Sequence, residues 1–234
     1  MRIATWNVAR PNPRGWKIAP RIEQKLQRIS ADIWILTETH ADLKPGPDYT
    51  SHGSEYDQSV HHAGEHWTMI WSRYPIVRQL DTRTPELAAC CEIETPLGLS
   101  IVYGTVLPDG TAKPWDAHYE AIKKQAQDWA QLCADHPNHL LFVAGDFNQN
   151  RGGPHQYGTT EGRNRLTNAL RDADLFCATE DDLVVEGKLA KLRTIDHICV
   201  PSAWPHSVDV GAWEGTCEDG VRLSDHNGIC VDLT

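Results

Sequence analysis

The residues best suited to chemistry are an aspartate and an asparagine, Asp146 and Asn148, which closely follow the apolar run 140–144. Such a run predicts a buried strand, and open sheets place their functional groups at the carboxyl ends of strands. Residues two apart on an extended chain project to the same face, so we expect both side chains to act on one ligand. The alternative is an Asx turn that closes the strand, which both residue types favour.

The same arrangement recurs along the chain, where polar residues stand at the ends of other short apolar runs. These residues are Asn7, Glu38, Asp196, Asp225 and His226. Because strand ends can converge at one edge of a sheet, the recurrence predicts a single shared site. Asp225 and His226 are adjacent, and on a strand they would face opposite ways, which predicts separate roles for the two.

Five short motifs containing these residues give the chain its resemblance to a known family. They are Thr5-Trp6-Asn7-Val8, Thr37-Glu38-Thr39, Gly145-Asp146-Phe147-Asn148, Ile195-Asp196-His197 and Ser224-Asp225-His226. Each is weak alone, but the ordered set resembles the endonuclease/exonuclease/phosphatase family with its DNase I-like fold. The resemblance implies an α/β fold, a two-sheet β-sandwich flanked by helices in four layers, as one domain over residues 1–234. It also implies a metal-dependent phosphoester hydrolase, either a nuclease or a phosphodiesterase or phosphatase.

The resemblance assigns Asn7, Glu38 and Asp225 to the metal. Glu38 corresponds to the family's metal-binding carboxylate, Asp225 completes the site, and Asn7 orients Glu38 or the metal-bound water. Oxygen ligands without a thiolate set favour Mg²⁺ or Mn²⁺ over zinc. The alternative for Glu38 is a solvated residue at a strand end.

The resemblance assigns the chemistry to four further residues. Asp146 orients or deprotonates the attacking water, while Asn148 and His226 contact the phosphate. Asp196 corresponds to the carboxylate that hydrogen-bonds the histidine and holds it charged. His197, which follows Asp196, is expected to face the other way and to be structural.

One position departs from the family pattern. Val106 falls where many members have a histidine or tyrosine that touches the phosphate. A valine supplies neither charge nor hydrogen bond, so the phosphate contacts are expected to be incomplete. This departure supports a competing hypothesis, a phosphate-binding module that kept the fold and lost efficient chemistry. Retention of the other site residues opposes it.

Basic residues in two loops are possible substrate contacts. Arg151 follows the Asp146 motif, and Arg10, Arg14 and Lys17 follow the first strand. A guanidinium can hold a phosphate through two hydrogen bonds. A solvated loop position is an equally good interpretation for each of them.

Histidine and tryptophan clusters have less specific interpretations. His62 and His66 have the helical spacing of a zinc site, but the intervening Gly64 favours a polar loop. Trp16, Trp115 and Trp213 could stack on nucleic-acid bases, although packing in the core is the default for each tryptophan.

Composition limits the partners. Lys and Arg number 22 against 32 Asp and Glu, a net charge of −10, which argues against tight non-specific binding to duplex DNA. The 7 cysteines lack C-x-x-C spacing and are expected to be reduced core thiols. A strand already begins at residue 3 and no apolar run matches a membrane span. We therefore expect a cytoplasmic protein, a monomer, with a nucleic acid or a small phosphorylated molecule as substrate and no membrane partner.

The periodicity of apolar residues predicts the elements that position the site. Helices are expected from Pro20, from Trp115 and around Leu166, and strands at 3–7, 33–37, 67–72, 87–94, 99–105 and 140–144. Three late strands are expected near Ile195, Val208 and Ile229. The polar stretch 40–65 is expected to be a loop.

Overall fold

A computed structural model describes residues 1–11, 17–59, 61–110, 114–154, 157–204 and 207–234. Within these ranges the chain forms twelve strands and three helices. The strands of the first half are β1 (Arg2–Asn7), β2 (Ile33–His40), β3 (Thr50–Gly53), β4 (Glu65–Ser72), β5 (Ile76–Leu80), β6 (Ala88–Thr95) and β7 (Gly98–Val106). Those of the second half are β8 (Leu140–Asp146), β9 (Leu175–Cys177), β10 (Asp196–Pro201), β11 (Val208–Trp213) and β12 (Gly228–Leu233). The helices are α1 (Ala19–Ile29), α2 (Trp115–Asp135) and α3 (Thr160–Asp172).

The strands form two six-stranded sheets, with the orders β11-β12-β1-β2-β4-β3 and β5-β6-β7-β8-β10-β9. Apolar residues such as Ile35, Val102 and Phe142 fill the layer between the sheets. Helix α1 packs on the outer face of the first sheet through Ile22 and Leu26. Helices α2 and α3 cover the outer face of the second. The four-layer α/β sandwich predicted from the sequence is therefore confirmed.

Each sheet has a parallel pair near its centre, β1 with β2 and β7 with β8. In these pairs Asn7 lies opposite Thr37, next to Glu38, and Val106 lies opposite Asp146. Because β8 contacts both β1 and β2 across the sandwich, the carboxyl ends of the two pairs meet at one edge. The edge carries polar residues from both sheets.

The structure also differs from the sequence-based expectations. Strand β3 lies within the stretch predicted to be a loop, and β10 begins at Asp196 rather than ending near it. Asp225 and His226 lie in a bend before β12 and not on a strand, so strand alternation was the wrong reason to separate their roles.

The structure overturns the expectation for one of the three tryptophans that could stack on bases. Trp213 is buried and packs edge-on against Trp6 and Trp34, so the suggestion that it stacks on bases is wrong. Trp16 and Arg14 lie outside the described residues. No helix in the described ranges is long and apolar enough to cross a bilayer.

Candidate active site

A cavity of about 1010 Å³ opens at the edge where the central strands of both sheets end. Nine residues are assigned from the sequence to catalysis, to the metal or to the substrate, and seven of them line the cavity: Arg10, Glu38, Asp146, Asn148, Asp196, Asp225 and His226. Asn7 contacts two of these from beneath. Residues separated by more than 200 positions in the sequence thus meet at one place.

Asn7 connects the two carboxylates that the sheets contribute. Its Nδ2 donates to Glu38 Oε1 at 3.1 Å and to Asp146 Oδ2 at 3.1 Å, while the Ala9 backbone N–H donates to its Oδ1 at 2.9 Å. The side chain is buried, so these bonds fix which end of the amide faces the carboxylates. Asn7 therefore contacts Glu38 and Asp146 at the same time.

Asp146 and Asn148 meet through a tight local turn. The Asn148 backbone N–H donates to Asp146 Oδ1 at 2.9 Å, and Asn148 Nδ2 donates to Asp146 Oδ2 at 3.2 Å and to the Leu107 carbonyl at 2.9 Å. Asn148 has φ +46, so the expectation of an extended segment is wrong. The Asx turn posed as an alternative is present, and it brings the two side chains together.

Gly145 explains how the strand can end in this way. A Cβ at this residue would clash with the Thr105 carbonyl oxygen, at only 1.9 Å, and the backbone φ is +139. Only glycine tolerates both the close approach and the conformation. The glycine before Asp146 is therefore needed for β8 to deliver the carboxylate beside β7.

His226 and Asp196 form a buried hydrogen-bonded pair. His226 Nδ1 lies 2.7 Å from Asp196 Oδ2, and Nε2 lies 4.0 Å from Asp146 Oδ2. Ser224 Oγ donates to the Asn7 carbonyl at 2.6 Å and accepts from the His226 backbone N–H at 3.0 Å. The bend carrying His226 is thereby attached to β1, and Nε2 remains directed at Asp146.

Burial and neighbouring charges shift the pKa values of both Asp146 and His226. Burial raises the pKa of Asp146 to about 7, with the charge of His226 opposing and that of Asp196 adding to the shift. Burial alone would lower the pKa of His226, but the charges of Asp196 and Asp146 and the Asp196 hydrogen bond raise it to about 10. An imidazolium beside carboxylates suits contact with a phosphoryl oxygen.

Glu38 occupies a strained position on the cavity wall. Its φ is +45 although it lies within β2, a conformation that a non-glycine residue keeps only where the surroundings impose it. Arg10 Nε lies 3.4 Å from Glu38 Oε2, and the guanidinium stacks 3.9 Å above the Trp67 ring. Glu38 lines the cavity, where a cation can reach its carboxylate.

The donors around the cavity fit a hard divalent cation. Glu38 and Asp225 present carboxylates on the wall, and the Asp225 side chain is 56% exposed, 3.8 Å from Arg222. Asp196 Oδ1 is buried and has no hydrogen-bond partner within the described ranges. Such a carboxylate oxygen is costly to leave unpaired. Oxygen donors of this kind match Mg²⁺ or Mn²⁺.

Arg151 and His197 do not line the cavity. Arg151 packs against α3, donating to the Arg163 carbonyl at 3.2 Å and to Thr167 Oγ1 at 2.9 Å. His197 is buried, and its ring nitrogens face Thr179 and the Gln149 carbonyl, which agrees with the expected structural role. The Arg151 guanidinium is therefore held against α3, away from the cavity.

The structure adds cavity residues that sequence reasoning missed. Trp67 supports Arg10, and Arg193 and Tyr157 line the wall. Their local sequences contain no feature that distinguishes them from other surface residues. The role of Ser224 had a signal, because it opens the Ser-Asp-His motif.

The chain belongs to the Endonuclease/Exonuclease/phosphatase family, whose sequence profile matches residues 4–226. Members of this family hydrolyse phosphoesters with a divalent metal, in accord with the acidic and histidine groups assembled here. Among curated proteins, none matches the chain.

Solved structures share the fold over the whole chain. A 3′ phosphatase from Neisseria bound to a product DNA hairpin has a TM-score of 0.72 and 19% identity, covering 100% of this chain and 99% of that one. An AP endonuclease from Archaeoglobus fulgidus has a TM-score of 0.70 and 14% identity, covering 100% of this chain and 99% of that one. A mannosyl-6-phosphatase from Bacteroides thetaiotaomicron has a TM-score of 0.67 and 18% identity, covering 100% of this chain and 99% of that one. At these identities the similarity establishes the fold alone.

Proposed function

We propose that the protein is a divalent-metal-dependent phosphoester hydrolase whose substrates are small phosphorylated molecules or single-stranded nucleic acid. One observation carries the proposal: Asn7 joins Glu38 and Asp146 on the same cavity that the Asp196–His226 pair enters. The arrangement combines a cation ligand, a proton acceptor and a phosphate contact within reach of one phosphoryl group.

The proposed roles follow from these contacts. Glu38 and Asp225 would hold a Mg²⁺ or Mn²⁺ ion, which when bound supplies polarisation of the phosphate and charge neutralisation. Asn7 would orient Glu38 toward that ion through the hydrogen bond from its Nδ2. Asp146 accepts the proton of the attacking water, since its buried carboxylate has a pKa raised to about 7. His226 Nε2 donates to a phosphoryl oxygen while Asp196 fixes the ring.

Asn148 has a more restricted role than a free phosphate contact. Its Nδ2 already donates to Asp146 and to the Leu107 carbonyl. It lines the cavity nonetheless, so we assign it both to holding Asp146 and to contacting the phosphate.

The charge of the cavity supports the substrate class. Among the described residues that line it, two are arginines, Arg10 and Arg193, and seven are carboxylic acids: Glu38, Asp57, Glu86, Asp109, Asp146, Asp196 and Asp225. Duplex DNA is held mainly through basic residues on successive phosphates. A wall with this excess of carboxylates disfavours a long polyanion and accommodates a single phosphoester.

A substrate panel tests the proposed function. Purified protein with Mg²⁺ or Mn²⁺ is assayed on nucleotides, sugar phosphates, inositol phosphates, and single-stranded and duplex oligonucleotides. We expect hydrolysis of a small or single-stranded substrate at a higher kcat/KM than of the duplex, and loss of activity in excess EDTA. Full activity in EDTA, or no hydrolysis of any substrate with either metal, would refute the proposal.

Replacing Glu38 tests the metal assignment without an activity assay. Mg²⁺ or Mn²⁺ should raise the Tm of the wild-type protein, because a ligand that binds the folded state stabilises it. Glu38→Gln should show a smaller rise and a weaker calorimetric affinity. Glu120→Gln, an exposed change on α2, is the control and should behave as wild type. An unchanged metal response in Glu38→Gln would remove Glu38 from the ligand set.

Val106 offers a test of the non-catalytic alternative. It is buried, lines the cavity and lies opposite Asp146 in the β7–β8 register, which agrees with its proposed alignment with the family's phosphate contact. Val106→His should raise turnover of a simple phosphodiester or tighten phosphate binding, by a small factor because no surrounding residues are tuned to it. Val185→His, at an exposed site, is the control. If turnover and phosphate affinity are both unchanged, Val106 does not mark a missing contact.

A further inference from the structure

A second cluster of possible metal ligands lies far from the cavity. Glu92 lies on β6, His136 caps the C-terminal end of α2, and His139 lies in the turn that precedes β8. One ligand atom from each of the three side chains lies within 4.8 Å of the others. Glu92 pairs with Ile101 of β7, five residues before Val106, which places the cluster about 16 Å from the active-site end of the sheet.

The environment of His139 indicates that a ligand is needed there. Both of its ring nitrogens are buried and make no hydrogen bond to any residue in the described ranges. A buried imidazole normally pairs at least one nitrogen, because an unsatisfied polar group is costly. His139 Nε2 lies 3.7 Å from Glu92 Oε2, too far for a hydrogen bond. Two ligands on one tetrahedral zinc ion lie about 3.3 Å apart, so only a small closure is required.

An arginine beside the cluster, Arg78, neutralises the charge of Glu92. Arg78 Nε donates to Glu92 Oε2 at 2.7 Å, and its Nη2 lies 3.5 Å from His136 Nδ1. The Glu92 side chain is 7% exposed and that of Arg78 is 51% exposed. The carboxylate is therefore fixed in the protein, whereas the guanidinium can turn outward into solvent and leave Glu92 to another cation.

We propose that Glu92, His136 and His139 form a second metal site, specific for Zn²⁺ and separate from the Mg²⁺ or Mn²⁺ site of the cavity. Two imidazoles and one carboxylate are the ligand types of zinc and do not suit magnesium. Three protein ligands leave a fourth position for water. The bound ion would attach the C-terminal end of α2 to β6, so its effect is on stability.

Zinc calorimetry on chelator-treated protein tests the site. Wild type should bind one more equivalent of Zn²⁺ than His136→Ala or His139→Ala. The His136 variant should fold normally, because the cap to the Leu132 carbonyl uses the backbone N–H. His62→Ala, which removes an exposed histidine outside the cluster, should bind as wild type. At a free Zn²⁺ concentration of 100 times Kd, the Tm of wild type should rise by about 5–10 °C.

Replacing Arg78 should strengthen zinc binding, whereas replacing either histidine should remove it. If Arg78 competes with zinc for Glu92, its removal should tighten Kd by about tenfold or more, since a charge-assisted hydrogen bond no longer has to be broken. An equal number of zinc equivalents in wild type and His136→Ala would overturn the proposal. So would an Arg78→Ala variant that binds zinc no more tightly than wild type, because the cluster would then be only an ion pair.

Discussion

Asp146→Asn should lower kcat by about 10² or more, the range found when a general base is lost. The carboxylate accepts hydrogen bonds from Asn7 and from the backbone and side chain of Asn148. An asparagine of the same shape can keep part of this network but cannot take a proton from water. The measurement is the initial rate at saturating substrate and metal, using whichever substrate the panel identifies.

The Tm of Asp146→Asn distinguishes a loss of catalysis from misfolding. Burial raises the pKa of Asp146, so the neutral amide avoids the cost of a buried charge, although its Nδ2 faces a donor where the carboxylate accepted a hydrogen bond. The variant should therefore remain folded, with a Tm close to that of wild type. Asp172→Asn, at an exposed site on α3, should retain full activity. A kcat within threefold of wild type for Asp146→Asn would exclude Asp146 as the base.

The sequence predicted the residues at strand ends because their signal is local. Asn7, Glu38 and Asp146 each end or follow a short apolar run, and the parallel pairs β1–β2 and β7–β8 bring such ends to one edge. Strand β3 was missed because Thr50 and Ser51 are exposed at the edge of a sheet and show no apolar alternation.

Other features could not be predicted because they depend on backbone conformation or on distant contacts. The positive φ values of Glu38 and Asn148 have no sequence pattern comparable to that of glycine. Arg151 was considered from its closeness to Asp146 in the sequence, but the chain turns after Asn148 and directs the guanidinium to α3. Proximity along the chain therefore says little about side-chain direction once a strand has ended.

The Asp196–His226 pair shows what the family resemblance added. The two residues are 30 positions apart, and neither lies at a site where periodicity predicts contact. The resemblance proposed their pairing, and the structure places them 2.7 Å apart. The same distance defines a test of whether Asp196 acts on the substrate directly or through the histidine.

A double-mutant cycle on this pair should show strongly non-additive losses. His226→Ala should lower kcat by about 10², as expected for removing a group that stabilises charge in the transition state. Asp196→Asn should lower kcat by about tenfold to a hundredfold, because Asp196 Oδ2 holds the ring and its charge helps to raise the pKa of His226. If Asp196 is a positioning residue, the double variant should be no slower than His226→Ala alone. The coupling would then equal the Asp196→Asn loss, about 1.4–2.7 kcal/mol at 1.36 kcal/mol per factor of ten.

Circular dichroism and Tm confirm that each variant is folded, and kcat is measured apart from KM, since a positioning role should change mainly kcat. Losses that multiply in the double variant would mean that Asp196 contributes independently of His226, through its unpaired Oδ1 and a direct contact with the substrate or the metal.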